Sequence, residues 1–423
     1  MPRLTVHNLG PIRDCEIELK DFCVLTGPQA SGKSTVAKAI FFFRTIKDDC
    51  ISMYLKNQAL GSDGSSFLTA LKKQLRSKFM QMFGSSWGMS MDMKLRYEYG
   101  PKTFAEVSLR ENKTGRAPNY IDFLFSKNIS DFIKTLNQDW SDKNDILRMA
   151  AETFCDDYEN VYIPAGRSLI TLLTSQLNYI LSIMDDMQKK SIDYCTQNYM
   201  ERILKLKNLF SDGIRGMYYD KRTTSLDPVN KKLLQAMMNQ IDQILRGKYQ
   251  YQDGEERLVL DDHSYVRLNY TSSGQQEVVW ILNLLFYYVL ENKKAYVILE
   301  EPESHLYPQA QSEVAQLLGM FLNAGNQMLL TTHSPYILGE INNLLYAGNL
   351  ADQAKEQVNC VVAENMQVHS DRTSAYYMDD GRMRDIMDEE IQLSRNSVID
   401  GISDIINDQN EKLVEIDIQS QEK

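Results

Sequence analysis

The sequence predicts an α/β fold in which a mixed sheet begins with antiparallel hairpins and is interrupted by an inserted helical lobe. Near the N-terminus, residues 4–7 and 15–19 alternate apolar and polar, which is typical of a half-buried hairpin. Further on, the bare apolar segments 295–299 and 327–332 alternate with helical patterns, which is typical of parallel strands joined by crossover helices. Between them, residues 168–248 are mostly helical in pattern and form the predicted lobe.

Length and composition are those of a globular protein with two or three compact parts. The chain has 423 residues, of which 43% are hydrophobic and 24% are charged. Its formal net charge of −11 does not indicate a nucleic-acid or membrane surface. A local basic stripe on one predicted helix is a candidate, although a solvated helix face is the preferred interpretation. The stripe consists of Lys72, Lys73, Arg76 and Lys78.

Cysteine spacing and apolar runs indicate the compartment. The six cysteines include no C-x-x-C pair, so neither a zinc site nor a disulfide framework is expected. Residues 1–6 lack an apolar signal core. The longest apolar run, 278–290, is too short to span a bilayer and is interrupted by Asn283. We therefore expect a cytoplasmic protein without a membrane partner.

The most specific motif is a phosphate-binding loop between a predicted apolar strand (22–26) and a predicted helix. Backbone N–H groups at the start of this helix would bind nucleotide phosphates, and the loop glycines would allow a close approach. Lys33 would supply positive charge, facing solvent without ligand, and Ser34 would bind Mg²⁺. An ordinary glycine-rich turn is the alternative to this nucleoside-triphosphate site. The predicted contact residues are Gly27, Pro28, Gln29, Ala30, Ser31, Gly32, Lys33, Ser34 and Thr35.

Two acidic residues end the apolar strand 295–299, where ligands lie in parallel sheets. Glu300 would hold Mg²⁺, directly or through water, and Glu301 would orient or deprotonate the attacking water. A solvated strand end is the alternative. His333 ends the next apolar strand and would face the γ-phosphate, with a buried core histidine as the alternative. His305 has two equal interpretations, a subunit contact or a loop residue.

A second anion site is predicted at residues 272–276, which read Ser-Ser-Gly-Gln-Gln and open another helix. A Ser hydroxyl and a Gly backbone at a helix N-terminus bind anions, although a plain helix cap is the alternative. One chain is not expected to bring two helix N-termini onto one γ-phosphate, so a second copy would supply one of them. We therefore predict a dimer around ATP in which Ser273, Gly274 and Gln276 contact nucleotide.

Together these motifs resemble the ABC-type ATPase heads of the RecF, SMC and OLD kind, described in bacteria as AAA-type ATP-binding proteins. Residues 27–34 resemble the Walker A loop, 272–276 a variant signature, 299–306 the Walker B and D-loop segment, and 332–335 the switch-histidine segment. The resemblance covers residues 1 to about 345. It implies a P-loop NTPase with an ABC-type head, with ATP and Mg²⁺ as cofactors and a homodimer or larger homo-oligomer formed through ATP.

The sequence departs from the pattern of these families at three points. Glu300 replaces the usual Asp, which lengthens the metal ligand by a methylene. Gln275 occupies a position where a second Gly is usual. The glutamine that normally completes the magnesium shell is unassigned, with Gln58, Gln74 and Gln81 as candidates.

A closer resemblance is to ATPase subunits of bacterial antiphage systems such as PARIS and Septu, on residues 162–167 and 272–276. It implies a sensor or motor subunit acting with a separate effector, either a nuclease or a toxin. Arg167 would then reach the nucleotide or partner chain, or else begin a helix in a surface salt bridge. Alternatives are a RecF-like DNA-binding ATPase in repair, which makes nucleic acid a possible partner, and an ATP-stabilised scaffold. No nuclease is expected in this chain, since 363–365 and 379–380 lack the OLD-type acidic pattern.

Four domain segments are predicted from these patterns. Residues 1–125 and 256–348 would form the two halves of the ATPase domain, 126–255 the helical lobe, and 349–423 a C-terminal strand pair and helix. More local predictions concern single elements. They are hairpins at 91–99 with 104–110 and 258–260 with 265–270, helices over 131–153 and 394–414, strands at 160–163, 359–363 and 375–378, a loop or lid at 213–227, and a helix capped by Ser168.

Overall fold

A large mixed sheet organises the structure, which is a computed structural model. It describes residues 1–60, 66–85, 88–111, 120–136, 143–173, 183–185, 192–224, 230–261, 264–388, 391–394 and 407–413. The strands are β1 (Arg3–Leu9), β2 (Ile12–Glu18), β3 (Phe22–Thr26), β4 (Lys94–Gly100), β5 (Thr103–Arg110), β6 (Tyr120–Phe125), β7 (Glu159–Ile163), β8 (Lys248–Gln252), β9 (Glu255–Asp261), β10 (Ser264–Arg267), β11 (Ala295–Glu300), β12 (Gln327–Thr332), β13 (Thr373–Asp379) and β14 (Arg382–Asp385).

Helices cover the sheet and build the lobe inserted after β7. They are α1 (Lys33–Arg44), α2 (Ile46–Leu60), α3 (Phe67–Phe83), α4 (Lys127–Thr135), α5 (Lys143–Phe154), α6 (Ser168–Leu173), α7 (Tyr194–Leu206), α8 (Gly213–Thr224), α9 (Lys231–Leu245), α10 (Ser273–Leu290), α11 (Pro308–Asn323) and α12 (Pro335–Asn359). Among the described residues, no helix combines the length and apolarity that a membrane span needs.

The large sheet has the strand order β6-β5-β4-β1-β2-β14-β13-β3-β12-β11-β7. Neighbours from β13 through β3, β12 and β11 to β7 pair in parallel. On the other side of the sheet, neighbouring strands pair antiparallel in the order β2, β1, β4, β5 and β6. Strands β1 and β2 form one hairpin, β4 and β5 form the next, and β6 is the edge strand. The predicted α/β class, the mixed sheet with N-terminal antiparallel hairpins and the helical lobe are therefore confirmed.

Two hydrophobic cores lie on opposite faces of this sheet. Val297 and Leu299 of β11 pack into the core that contains α10, whereas Tyr296 and Ile298 pack into the core that contains α1. Successive residues of a strand point to opposite faces, so a strand covered by helices on both faces must be apolar throughout. This is why β11 is a bare apolar run, and why its first polar residue, Glu300, comes where the strand ends.

Several predicted elements are wrong in type or extent. The helix predicted over 131–153 is two helices, α4 and α5, with 137–142 outside the described residues. The loop or lid predicted at 213–227 is helix α8 as far as Thr224. The hairpin predicted at 258–270 has a third strand, β8, and its second strand ends at Arg267. The predicted strand at 359–363 is the end of α12 and a turn, because α12 continues to Asn359.

The C-terminal strand pair lies inside the large sheet. Strand β13 pairs in parallel with the phosphate-loop strand, with Thr373 opposite Phe22 and Tyr377 opposite Thr26, and it continues into β14 by antiparallel pairing. Residues 373–385 therefore support the start of the loop directly. The last helix is predicted over 394–414, and most of that range lies outside the described residues. Within it, residues 407–413 are described and are helical.

The basic residues of α3 do not form one exposed stripe. Lys72 donates to the backbone oxygen of Phe123 at 2.6 Å, and Arg76 donates to that of Ile121 at 2.8 Å. Lys78 is buried against Asp49 at 2.6 Å. Three of the four side chains thus hold α3 in place, so the preferred interpretation of a solvated helix face is wrong for them too.

Candidate active site

The phosphate loop joins β3 to α1 as the motif requires, and its shape depends on the neighbouring strand β13. Gly27 has φ 145°, and a Cβ there would lie 2.1 Å from the backbone oxygen of Met378. Gly32 caps α1 with φ 106°. Only glycine adopts these backbone conformations readily, and only glycine leaves room for β13 behind the loop. The loop is therefore fixed by its own sequence and by one distant strand.

Lys33 lies inside the loop. Its ammonium group donates to the backbone oxygens of Gly27 at 3.0 Å and Pro28 at 2.7 Å, and to Ser31 Oγ at 3.3 Å. The expectation of a solvent-facing lysine is wrong, because these acceptors hold it at 5% exposure. Burial lowers the pKa of Lys33 to about 8, and the nearby Glu301, Glu303 and Glu300 oppose that shift. The ammonium group is thus held by acceptors of the loop itself.

The two acids and His333 meet at the carboxyl edge of the sheet. Strand β12 lies between β3 and β11 in parallel register, so the ends of these three strands are neighbours. Glu301 has φ 43°, and its N–H donates to the backbone oxygen of Thr331 at 2.9 Å. His333 Nε2 lies 3.3 Å from Glu301 Oε1. Hydrogen bonding by His333 lowers the pKa of Glu301, so this carboxylate stays ionised.

Glu303 is a site residue that the sequence analysis did not assign. Its Oε1 accepts from the His333 N–H at 2.7 Å and from Thr332 Oγ1 at 2.9 Å. Burial raises the pKa of Glu303. This side chain fixes the backbone turn that carries His333, and therefore the direction from which His333 approaches Glu301. The sequence feature that could have pointed to Glu303 is a second acid two residues after Glu301, in Glu301-Pro302-Glu303.

Glu300 and Ser34 fit the predicted magnesium site. One Glu300 oxygen accepts from the Ala165 N–H at 3.2 Å, while the other, Oε1, is buried without a hydrogen-bond partner. Ser34, in the first turn of α1, is exposed. Among the described residues, no group of three or more His, Cys, Asp or Glu side chains surrounds a metal position. Magnesium bound with nucleotide needs only one or two protein ligands beside phosphate and water, so the orphaned Glu300 oxygen and the Ser34 hydroxyl suffice.

In the predicted second anion site, two residues cap helix α10, two are buried and the remaining one is exposed. Ser272 and Gln275 form a capping box at the start of α10, as the cap interpretation requires. Gln276 is buried, and its amide donates to the backbone oxygen of Thr271 at 3.0 Å. Gly274 is buried too, and a Cβ there would lie 2.6 Å from the backbone oxygen of His305. Of the three predicted contacts, Ser273 alone is exposed.

Arg167 lies at the start of a helix, as one of its two interpretations had it, but its salt bridge is buried and not at the surface. It is fully buried, so it forms no surface salt bridge, and it contacts its own chain through Glu277 and several backbone oxygens. Ser168 is the first residue of α6 and does not cap it. The Glu277 carboxylate caps this helix instead, because it accepts from the N–H groups of Arg167 and Ser168, both at 3.0 Å.

Two candidates for the magnesium-shell glutamine are engaged elsewhere. Gln74 donates to Asp49 Oδ1 at 3.1 Å, and Gln81 donates to the backbone oxygen of Ile192 at 2.9 Å. The side chain of Gln58 is outside the described residues. The loop that does contact Glu300 follows β7 and contains Ala165 but no glutamine.

Comparisons with known proteins bear on this site. A family model described as "AAA ATPase domain" matches residues 1–223 and 161–338. No curated protein matches the chain. Similar solved structures include an SMC head bound to the C-winged helix domain of ScpA, with 13% identity, coverage of 91% of this chain and 96% of that one, and a TM-score of 0.37. Another is an SMC head domain from Thermotoga maritima, with 12% identity, coverage of 91% and 97%, and a TM-score of 0.37.

A third is an SMC head with an extended coiled coil, bound to the C-terminal domain of ScpA derived from Pyrococcus furiosus. Its identity is 13%, its coverage 91% of this chain and 96% of that one, and its TM-score 0.37. The family model covers well over half of the chain and spans the phosphate loop, both acids and His333. The chain therefore belongs to the AAA ATPase domain family.

Proposed function

We propose that this protein binds ATP with Mg²⁺ and hydrolyses it. The observation that carries the proposal is the contact between Glu301 and His333 at the sheet edge that also bears the phosphate loop. Glu301 is ionised and half-buried, and its charge acts on Lys33 across the site. A carboxylate held in this way can accept a proton from water placed next to the terminal phosphate.

Each residue has a separable task in this reaction. Lys33 and the loop N–H groups would bind phosphate oxygens and neutralise their charge. Ser34 and Glu300 would hold Mg²⁺, which neutralises further phosphate charge when bound. Glu301 would orient the attacking water and accept its proton. His333, fixed by Glu303, would keep Glu301 in position and face the same water.

ATP also joins two copies of the chain in this proposal. Ser273 is exposed at the N-terminus of α10, and His305 packs beside it through its contact with Gly274. Large exposed aromatic side chains surround these segments and the start of α12, where a second copy would cover them. They are Tyr270, Tyr307 and Tyr336, which are 72%, 76% and 55% exposed. The assembly would be a homodimer, or a larger oligomer built from dimers.

Mixing two inactive variants tests the shared site. Ser273→Arg should abolish ATP-dependent association and turnover while single chains still bind ATP, and Glu301→Gln should bind ATP without turnover. A mixed dimer contains one intact site, so ATP hydrolysis should return on mixing. Normal turnover by monomeric Ser273→Arg would contradict the proposal. Gly274→Asp is unsuitable here, because its side chain would first displace His305 in the same chain.

We further propose a cytoplasmic role as the sensor or motor subunit of an antiphage system with a separately encoded effector. Support comes from the resemblance of residues 162–167 and 272–276 to such subunits. Cells carrying this gene and its neighbour should resist phage, and Glu301→Gln should abolish that resistance. Salt-sensitive DNA binding that stimulates ATP hydrolysis, without any protection, would favour the repair role instead.

The effector chemistry is expected in the partner and not in this chain. Asp379 ends β13, and Asp380 begins the turn to β14 and pairs with Arg13 at 3.1 Å. The purified protein should hydrolyse ATP yet leave DNA and RNA uncut with Mg²⁺ or Mn²⁺. Cleavage that is lost in an Asp379→Ala/Asp380→Ala variant would contradict this expectation.

A further inference from the structure

A fully buried arginine connects three segments of the active site. The Arg167 side chain is 0% exposed and lies between the loop after β7, the end of β11 and the start of α10. A buried guanidinium group is costly unless its N–H groups are paired. All three of its nitrogens donate, and the acceptors show which segments it joins.

Two of its nitrogens hold the turn that carries the catalytic acids. Nη1 donates to the backbone oxygens of Pro164 and Glu300, both at 2.6 Å, and Nη2 donates to that of Glu301 at 2.9 Å. Glu301 has a positive φ of 43°, which is unfavourable for a residue with a Cβ. Its N–H is bound by Thr331 on one side and its C=O by Arg167 on the other. The orientation of Glu301 therefore depends on Arg167.

The third nitrogen contacts the helix that begins at Ser273. Nε donates to the backbone oxygen of Glu277 at 3.2 Å and lies 3.3 Å from its carboxylate. Thr171 Oγ1 adds a bond to the backbone oxygen of Gln276 at 2.9 Å. The first turn of α10 is thus bonded to the same segment, 164–171, that holds the Glu301 turn. A shift of that first turn would move the guanidinium group and, with it, the carbonyl of Glu301.

We propose that Arg167, held by Glu277, is a positioning residue that couples the contact made by Ser273 to the orientation of Glu301. The inference rests on the proposed ATPase function and adds a route by which the arrival of a second subunit sets the geometry of the reaction. A planar guanidinium group can bridge four backbone oxygens and a carboxylate at once, and a lysine ammonium cannot.

The test compares Arg167→Lys with Arg44→Lys. Arg44 is also buried and pairs with an acid, Asp156, at 3.0 Å, but at the far end of α1. Misplacing a catalytic group by about 1 Å costs about 100-fold, so kcat of Arg167→Lys should fall about 10- to 100-fold with ATP affinity unchanged. Arg44→Lys should lower the melting temperature yet keep kcat. Equal loss of kcat in both variants, or none in Arg167→Lys, would overturn the inference.

A double variant tests the coupling itself. Ser273→Ala removes the hydroxyl without adding the bulk that abolishes association, so its loss in kcat should be partial. If Ser273 acts through Arg167, the losses in kcat caused by Ser273→Ala and Arg167→Lys should not add, and the double variant should be no slower than the slower single one. Strictly multiplicative losses would contradict the coupling. Absence of ATP turnover in the wild-type protein would instead contradict the proposed function, so the two failures are distinguishable.

Two further variants keep the inference testable if Arg167→Lys does not fold. Glu277→Gln removes the charge that holds Arg167 but retains one oxygen acceptor for the N–H groups of Arg167 and Ser168, so kcat should fall while ATP affinity remains. Wild-type kcat in this variant would contradict the inference. In Arg167→Ala, added guanidinium should restore part of the turnover, whereas the same addition to Glu301→Gln should restore none.

Discussion

The two halves of the candidate site are built in different ways. In the phosphate loop, the group that would meet the nucleotide, Lys33, is held by Gly27, Pro28 and Ser31, all within six residues of it. In the acidic half, Glu301 is held by groups from two other segments, namely Thr331 and His333 at the end of β12 and Arg167 after β7. Lys33 is therefore held by local contacts within a loop that packs against β13, whereas Glu301 is held by long-range contacts.

This difference determines how each half responds to mutation. The loop depends on two glycines that fit against β13 and on one lysine, and no other residue replaces any of them, so a single change should weaken ATP binding strongly. The acidic half shares its positioning among Arg167, Glu303 and the strand pairing, so loss of one contact away from Glu301 should reduce turnover only in part. The following variants test this contrast, from the largest expected effect to the smallest.

The largest effect is expected from Gly27→Ala. The new Cβ would lie 2.1 Å from the Met378 backbone oxygen at a φ of 145°, so the loop must move away from β13. We expect a loss of about 2–4 kcal/mol in the free energy of unfolding and no measurable ATP binding. Chemical denaturation and calorimetry would measure both.

Gly10→Ala is the matched control, because Gly10 also has a positive φ, 57°, but nothing lies within 4 Å of a Cβ there. It should cost about 1 kcal/mol and leave ATP binding intact. Equal losses in the two variants would show that β13 does not constrain the loop.

Lys33→Ala should weaken ATP binding without weakening the fold. Two or more charge-assisted hydrogen bonds to phosphate would be lost, which corresponds to about 10- to 1,000-fold in Kd. Burial holds the pKa of Lys33 at about 8, below its usual range, so the charged group is unfavourable in the free protein. The melting temperature without nucleotide should therefore be unchanged or higher. Unchanged ATP affinity in titration calorimetry would contradict the assignment of this loop.

The sequence predicted these two halves unequally, and the reason is physical. A phosphate loop is contiguous, so Gly27, Gly32, Lys33 and Ser34 could be read as one motif between a strand and a helix. The carboxyl ends of the apolar strands likewise predicted Glu301. Neither argument specifies which distant strand lies behind a loop, and so the pairing of β13 with β3 was not foreseen.

The contacts that orient the acids were missed for the same reason. Arg167 is 134 residues from Glu301, and its two predicted environments were both at a surface or an interface. Glu303 contacts the His333 turn from 30 residues away. Their burial follows from the strand order, with β7 beside β11 and β11 beside β12, which no local pattern reveals.

Glu303→Ala should have an intermediate effect. It removes both hydrogen bonds that fix the turn before His333, so kcat should fall about tenfold while ATP affinity stays the same. Glu303→Gln is the control: it keeps an oxygen acceptor, and burial already raises the pKa of Glu303, so a neutral amide is tolerated there. Steady-state kinetics would measure both variants. A tenfold fall in the Gln variant as well would show that the charge itself is needed.

The smallest effect is expected from Gln81→Ala. Its amide donates to Ile192, so its loss should change turnover and the magnesium dependence of turnover by no more than about twofold. A magnesium titration of ATP hydrolysis would detect a larger change. A strong shift in the magnesium requirement would show that Gln81 turns toward the nucleotide and completes the metal shell after all.

The central claim is that one ATP molecule spans both halves, bound by the loop and hydrolysed through Glu301. Isolating the wild-type protein, Lys33→Ala and Glu301→Gln after incubation with labelled ATP and Mg²⁺, and identifying the bound nucleotide, tests it most directly. The account predicts ADP on the wild-type protein and little nucleotide on Lys33→Ala. On Glu301→Gln it predicts unhydrolysed ATP, because loss of the base costs about 100-fold or more in rate. ADP forming on Glu301→Gln at the wild-type rate would contradict the account.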